Sequence, residues 1–257
     1  MESYAIFRVS GIDNITIAGT EHNFMLEDSD IETIELNTED YKIRHIKTVF
    51  RNKIEISNEL LATTEEWLKL FLVQLILQRG ALAKGLSIKV EKVFDAKSIH
   101  VDKKYIDAIS IIKFSDSCEC VYSYDIEEYK NSYLDIPINC KTRDDYFILF
   151  NIMQIDNIAI RYLLMYEFLL SRVSKERKQK DVTDYINNQY NPTKSFNKIG
   201  EQPTRRPGKS FTEDELTYYR NLLAHNEGGN IEDIEKKVNL MSRAINEVIG
   251  YLLSTDR

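Results

Sequence analysis

Residues 210–230 read S-F-T-E-D-E-L-T-Y-Y-R-N-L-L-A-H-N-E-G-G-N and carry the start and stop signals of one helix. Ser210 belongs to the residue types that cap helix N-termini, and Glu213 follows three residues later, as a capping box requires. Gly228 and Gly229 supply the backbone freedom with which many helices end. We therefore predict a helix that begins after Ser210 and stops before the glycine pair.

Arg220, Asn221 and His225 lie near the C-terminal end of this predicted helix. Arg220 and His225 are five residues apart, which is about 140° of rotation and roughly 7.5 Å of rise, so they are not stacked neighbours. A second copy of the helix across a two-fold axis would gather two of each residue. Histidine exchanges protons near neutral pH, and the arginine fork holds phosphate oxygens. The pair therefore suits cleavage of an RNA phosphodiester through attack by the ribose 2′-hydroxyl, without a metal.

The pattern R-N-x-x-x-H, late in the third helix of an all-α segment, resembles the signature of the HEPN superfamily, and the resemblance covers about residues 143–257. It implies a helical bundle, a dimeric active site and metal-independent endoribonuclease activity, often in a defence or toxin–antitoxin system. The candidate catalytic residues are Arg220, His225 and Asn221. His225 would transfer protons, Arg220 would stabilise the phosphate, and Asn221 would orient them.

The expected partners follow from the same resemblance. Single-stranded or loop RNA is the expected substrate, because an exposed backbone can adopt the in-line geometry. A second copy of the chain would bind through the HEPN domain, and an antitoxin or defence partner protein is a further expectation. Glu167, on the long apolar helix before the motif, is expected either to reach the Arg220–His225 site or to form a plain interhelical salt bridge.

A different class of function is open from the same residues. A histidine near a helix C-terminus is favoured by the helix dipole without any catalytic role. The domain could therefore be a catalytically silent HEPN module for dimerisation, nucleotide binding or partner binding, with the N-terminal domain as a sensor. Residues 1–140 contain no phosphate loop, catalytic triad or metal motif. Their sequence therefore indicates only a scaffold or regulatory role.

A basic stretch spans residues 172–209, although the chain has a formal net charge of −7. The excess acid lies before residue 145, which argues against nucleic-acid binding by bulk charge alone. Within the basic stretch, Arg205, Arg206 and Lys209 belong to a loop rich in Asn, Pro and Gly. We predict that they guide an RNA backbone toward the site, and a solvated run of charge is the alternative.

The three cysteines, Cys118, Cys120 and Cys140, form neither a disulfide framework nor a zinc motif. Their number and spacing fit a reducing compartment. No apolar run in the sequence reaches the length that spans a membrane. We therefore predict a cytoplasmic protein with no metal, no other cofactor and no membrane attachment.

Hydrophobic patterning predicts an α+β chain with two domains. In residues 1–140, alternating segments such as 41–49 predict a mostly antiparallel sheet. His45 falls on the polar face of that segment and is expected to be solvated. An apolar stripe at helical spacing, which begins after Thr63 or Thr64, predicts one helix in this domain.

Residues 141–257 are predicted to form an all-α, HEPN-like helical domain. It opens with one long apolar helix through residues 146–173, and a shorter helix follows at 181–189. The last helix, residues 231–253, carries apolar residues along one face, and it closes the predicted bundle.

Overall fold

The computed structural model describes residues 2–13, 21–25, 30–39, 42–51, 54–79, 81–95, 140–190, 199–203, 212–225 and 231–255. The chain divides into two compact units. The first comprises Met1–Ser10, Thr16–Leu68 and Ile88–Ile136, and the second comprises Gly11–Ile15, Lys69–Ser87 and Pro137–Arg257. The second unit thus contains the whole predicted helical domain together with two earlier segments. The predicted boundary between residues 140 and 141 stays a prediction.

Five strands form one sheet in the order β2-β3-β4-β1-β5. They are β1 (Ser3–Asp13), β2 (Glu21–Met25), β3 (Ile31–Glu39), β4 (Lys42–Phe50) and β5 (Leu82–Phe94). The pairs β2–β3, β3–β4 and β4–β1 are antiparallel. The N-terminal sheet and the helices that follow it confirm the α+β class.

Alternate residues of β1 are buried because successive side chains of a strand point to opposite faces. Ala5, Phe7 and Val9 are at most 2% exposed, so one face of the strand belongs to an apolar core. His45 lies on the polar side, as predicted, and its side chain is 40% exposed. Its Nε2 also lies 2.9 Å from Glu91 Oε2, a contact that periodicity does not predict because it gives only the face of a residue.

Helix α1 (Asn58–Arg79) begins before the predicted start at Thr63 or Thr64. The Ser57 hydroxyl oxygen accepts a hydrogen bond from the Leu60 amide at 3.1 Å and caps the helix. Thr64 is only 2% exposed, and its hydroxyl donates to the Leu60 carbonyl at 2.7 Å. An interior threonine can bond back along its own helix in this way, so a hydroxyl residue does not by itself mark a helix start.

Five helices follow among the described residues of the second unit. They are α2 (Cys140–Met153), α3 (Ile158–Val173), α4 (Gln179–Asn188), α5 (Glu215–His225) and α6 (Ile231–Thr255). Helix α3 contacts the other four and lies at the centre of the bundle. A short antiparallel ribbon, β6 (Glu201–Pro203) with β7 (Thr212–Asp214), leads into α5. C-terminal helices are therefore observed, as predicted, but the segment is not all-α because the ribbon lies among them.

The single long apolar helix predicted at the start of this domain is wrong, because two helices, α2 and α3, occupy that segment. The Asn157 side-chain oxygen accepts from the Ile160 amide at 3.0 Å and starts α3. Buried Arg161 donates to the carbonyl oxygens of Ile155 and Asp156. These bonds satisfy backbone groups that a helix break exposes. Apolar periodicity continues across the break and therefore does not reveal it.

Close packing joins α1 and α6 within the second unit. A Cβ atom at Gly250 would lie 3.0 Å from the Leu77 carbonyl oxygen, so glycine permits this approach. The Asn246 amide donates to the Ala81 carbonyl oxygen at 2.8 Å. Among the described residues, no helix combines the length and the apolarity that crossing a membrane requires.

Candidate functional site

The start of α5 differs from the prediction. Helix α5 begins at Glu215, so the predicted capping box of Ser210 and Glu213 is wrong. Ser210 lies outside the described residues, and Glu213 belongs to strand β7. The helix is capped instead by Asp214, whose Oδ1 accepts from the Thr217 amide at 2.9 Å. The ribbon extends β7 to Asp214 and thereby moves the helix start.

A chain of buried hydrogen bonds joins the start of α5 to α3 and α4. The Thr217 hydroxyl donates to Asp214 Oδ2 at 2.7 Å, and the Thr183 hydroxyl donates to the same oxygen at 2.6 Å. The Tyr166 hydroxyl lies 2.8 Å from Thr217 Oγ1 and is the donor there, because the Thr217 proton points to the carboxylate. Burial raises the pKa of Tyr166, so its phenol keeps the proton that it donates.

A carboxylate and an aromatic ring hold the Arg220 guanidinium. Its Nη2 donates to Glu167 Oε1 at 2.9 Å, and its Cζ lies 5.9 Å from the centroid of the Tyr166 ring. The side chain is 23% exposed, so solvent reaches it from one side. Its Nε is buried without a hydrogen-bond partner in the described part of the chain. The group is therefore held by its neighbours, while part of it stays accessible to solvent.

The Glu167 carboxylate bridges two arginines. Its Oε1 accepts from Arg220, and its Oε2 accepts from Arg177 Nη2 at 2.7 Å. Partial burial raises the pKa of Glu167, but the hydrogen bonds and charges of Arg220 and Arg177 outweigh burial and leave the pKa below its ordinary value. Glu167 is thus an anion at neutral pH. Glu167 forms an interhelical salt bridge, one of its two predicted options, and the partner is Arg220, so it also reaches one of the two residues named in the other option.

Asn221 pairs its side-chain amide with that of Gln179 on α4. Gln179 Nε2 donates to Asn221 Oδ1 at 3.0 Å, and Asn221 Nδ2 lies 3.4 Å from oxygens of Gln179 and Glu213. Arg220 Nη1 donates to the same Asn221 oxygen at 3.3 Å. Asn221 therefore contacts the guanidinium that it was predicted to orient.

His225 is the last residue of α5, and its side chain is exposed. Within the described ranges, the imidazole makes no hydrogen bond and no ion pair. The structure thus brings Arg220 and Asn221 into one network, while His225 lies about 1.4 helical turns further along. Gly228 and Gly229, predicted to stop the helix, lie outside the described residues.

The three residues predicted to guide RNA, Arg205, Arg206 and Lys209, also lie outside the described residues. Their role stays a prediction. The ribbon on either side of their loop is attached to α5, because the Gly200 amide donates to Glu215 Oε2 at 2.8 Å. Pro203 and Thr212, the described residues on either side of these three, are paired in the ribbon that leads into the helix with Arg220.

Metal ligands do not gather in the described ranges, where no three His, Cys, Asp or Glu side chains are placed to hold an ion. Cys118 and Cys120 lie outside these ranges, and the side chain of Cys140 is not described. The described part of the site holds the guanidinium groups of Arg220 and Arg177 on the Glu167 carboxylate, beside the amides of Asn221 and Gln179.

Three contributors to the site were not identified from the sequence: Arg177, Gln179 and Thr183. Each belongs to α4 or the turn before it. Gln179 and Thr183 contact residues 42 and 31 positions away in the chain, and Arg177 contacts Glu167 across the turn that joins α3 to α4. Arg177 was visible only as one member of the basic stretch. A local motif does not encode such contacts, because they depend on how the helices pack.

No family model, curated protein or solved structure matches this chain. The resemblance to the HEPN superfamily therefore rests on R-N-x-x-x-H and its helical setting, and membership stays a prediction.

Proposed function

We propose that the chain is a metal-independent endoribonuclease that cleaves single-stranded or looped RNA. The observation that supports this most is the partly exposed Arg220 guanidinium, ordered by Glu167, Tyr166 and Asn221, on the helix that ends in exposed His225. A preorganised guanidinium stabilises charge that develops on a phosphate. An exposed imidazole exchanges protons near neutral pH.

In the proposed reaction, the ribose 2′-oxygen bonds to the adjacent phosphorus and the bond from phosphorus to the 5′-oxygen breaks. His225 assists the transfer of the proton from the 2′-hydroxyl and the delivery of a proton to the leaving oxygen. Arg220 balances the added charge on the phosphate. The products carry a 2′,3′-cyclic phosphate and a 5′-hydroxyl.

The spacing of Arg220 and His225 bears on the proposed assembly. A separation of five residues leaves the two groups roughly 7.5 Å apart along the helix axis. A second copy across a two-fold axis through the helical unit would bring its own pair to the same phosphate. We further propose that such a dimer acts in the cytoplasm, in a defence or toxin–antitoxin system, with a partner protein that controls it.

A second candidate is a non-catalytic helical module that binds a protein partner or a nucleotide. It is favoured by the ion pair between Glu167 and Arg220, because a carboxylate on the guanidinium competes with a phosphate. Under this candidate the hydrogen bonds around α5 stabilise the bundle, and His225 is a favourable residue at a helix C-terminus.

The two candidates differ in a cleavage assay. The full chain, its His225→Ala variant and a His45→Ala control are incubated with end-labelled single-stranded RNA in EDTA. His45 is a matched control because it is also a partly exposed histidine. It lies in the first unit, as does its neighbour Glu91. We expect the wild type and the control to cleave, and His225→Ala to cleave at least about 100-fold more slowly.

A 2′-O-methyl RNA of the same sequence is expected to stay intact, because its nucleophile is blocked. Cleavage by His225→Ala at the wild-type rate contradicts the proposed role of His225. If the wild type leaves RNA intact, the non-catalytic module is favoured.

A further inference from the structure

Arg177 adopts a backbone conformation that residues with a Cβ seldom occupy. Its φ is 55°, in the left-handed region, and among the described residues it is the only non-glycine with a positive φ. The turn between α3 and α4 imposes this conformation, because the Ser174 hydroxyl oxygen accepts from the Lys178 amide at 2.9 Å. Ser174 in turn donates to Asp181 at 2.5 Å. These bonds hold the backbone of the turn and so fix the direction in which the Arg177 side chain leaves it, and the bond to Glu167 gives the guanidinium a defined place.

That place is the far side of the Glu167 carboxylate. Arg220 donates to Oε1 at 2.9 Å, and Arg177 donates to Oε2 at 2.7 Å. The two guanidinium groups thus hold one anion between them. A phosphodiester also presents two charged oxygens to arginine forks, so it can accept the same two donors.

The cluster is open to exchange with ligands. The Arg177 side chain is 61% exposed and the Glu167 side chain is 32% exposed, whereas Arg220 is 23% exposed. The carboxylate can therefore rotate into water, which frees both guanidinium groups for another anion. A phosphodiester that replaces it brings the same single negative charge, so the exchange leaves the charge balance of the cluster unchanged.

We propose that Arg177 and Arg220 form one binding site for an RNA phosphate, and that Glu167 holds this site as a resident anion until RNA displaces it. The inference rests on the proposed function, because the phosphate is taken to belong to RNA. Arg177 is then a phosphate-binding residue, and Glu167 determines how readily an RNA phosphate binds between the two arginines.

The test measures binding by the full chain of a fluorescent 2′-O-methyl RNA oligomer, which no variant can cleave. The variants are Arg177→Gly, Arg177→Ala and Glu167→Gln, with Lys175→Ala as control. Lys175 is an exposed basic residue of the same turn, so its loss reports the effect of bulk charge alone. Arg177→Gly removes the guanidinium and also relieves the positive φ, which keeps the test valid if Arg177→Ala folds poorly.

We expect Arg177→Gly to bind the oligomer about tenfold more weakly than Lys175→Ala, on the scale of one charge-assisted hydrogen bond. Glu167→Gln should bind about tenfold more tightly than the wild type, because the competing charge is gone. Adding Arg177→Gly to Glu167→Gln should remove that gain. Equal affinities of Arg177→Gly and Lys175→Ala, or no gain in Glu167→Gln, overturn the inference.

Inorganic phosphate separates this inference from the proposed nuclease. Phosphate should raise the thermal unfolding midpoint of Glu167→Gln, and by less when Arg177→Gly is added. If phosphate and the oligomer bind as expected but the wild type cleaves no RNA, the anion site stands and the nuclease fails. A glutamate-rich peptide that displaces the oligomer at a lower concentration than unlabelled RNA would assign the site to a protein partner and overturn the inference.

Discussion

The two units of the chain bury different kinds of polar side chain. In the described part of the first unit, the buried polar residues are Ser3, Thr48 and Thr64, all uncharged. Among the described residues of the second unit, the buried acidic and basic side chains are Asp145, Arg161, Glu213, Asp214 and Glu247. Burial of charge is costly unless hydrogen bonds and ion pairs compensate for it. The helical unit must therefore compensate buried charge with hydrogen bonds and ion pairs, whereas the described core of the sheet unit contains no charged side chain.

The largest effect on folding is expected in the sheet. Phe7 is fully buried in β1, so Phe7→Ala should lower the free energy of unfolding by about 3–5 kcal/mol. Its exposed neighbour Arg8 provides the control, and Arg8→Ala should change the same quantity by less than about 0.5 kcal/mol. Urea denaturation measures both. Equal costs for the two variants would mean that the sheet lacks the apolar core described here.

The next largest loss in the free energy of unfolding is expected from a polar substitution in the helical unit. Asp214→Ala removes the α5 cap and leaves the Thr217 and Thr183 hydroxyls without their acceptor. The free energy of unfolding should fall by about 2–4 kcal/mol. Asp184→Ala, which removes an exposed carboxylate of α4, is the control and should have little effect. If Asp214→Ala is as mild as the control, the buried chain of hydrogen bonds is not what holds α5.

The smallest effect is a dependence of stability on pH. The pKa of Glu167 in the folded chain lies below its ordinary value of 4.5. Its ionised form therefore contributes stability that is present above pH 4.5 and is lost as the pH falls through the folded pKa. The difference in thermal midpoint between the wild type and Glu167→Gln should narrow over that acid range. A constant difference from neutral pH to pH 3 would show that the two ion pairs do not stabilise the fold.

Sequence periodicity predicted the elements well, because burial imposes the periods of strands and helices directly. Strand β4 (Lys42–Phe50) and helix α4 (Gln179–Asn188) lie within two residues of their predicted bounds. The predicted starts of α1 and α5 were wrong, and the break before α3 was not predicted. Each depends on which of several eligible residues makes the cap, and tertiary contacts decide that choice.

The candidate site was predicted only in part, for a related reason. The local spacing of Arg220 and Asn221 singles them out within one helix, and the structure places them in contact. Gln179 could not be found this way because it lies on another helix, 42 residues from Asn221 in the chain, and Arg177 joins the site only through Glu167. A motif describes the residues of one helix, whereas the Arg220 guanidinium is held in place by side chains of the helices packed around it.

One measurement tests most directly whether Arg220 binds a phosphate or only stabilises the fold. It is the RNA cleavage rate of Arg220→Ala per folded molecule, in EDTA, with the thermal unfolding midpoint of the same variant measured alongside. We predict a rate at least about 100-fold below that of the wild type. The loss in midpoint should be only a few degrees, because Glu167 keeps its bond to Arg177. Cleavage at the wild-type rate by folded Arg220→Ala would contradict the role assigned to this arginine.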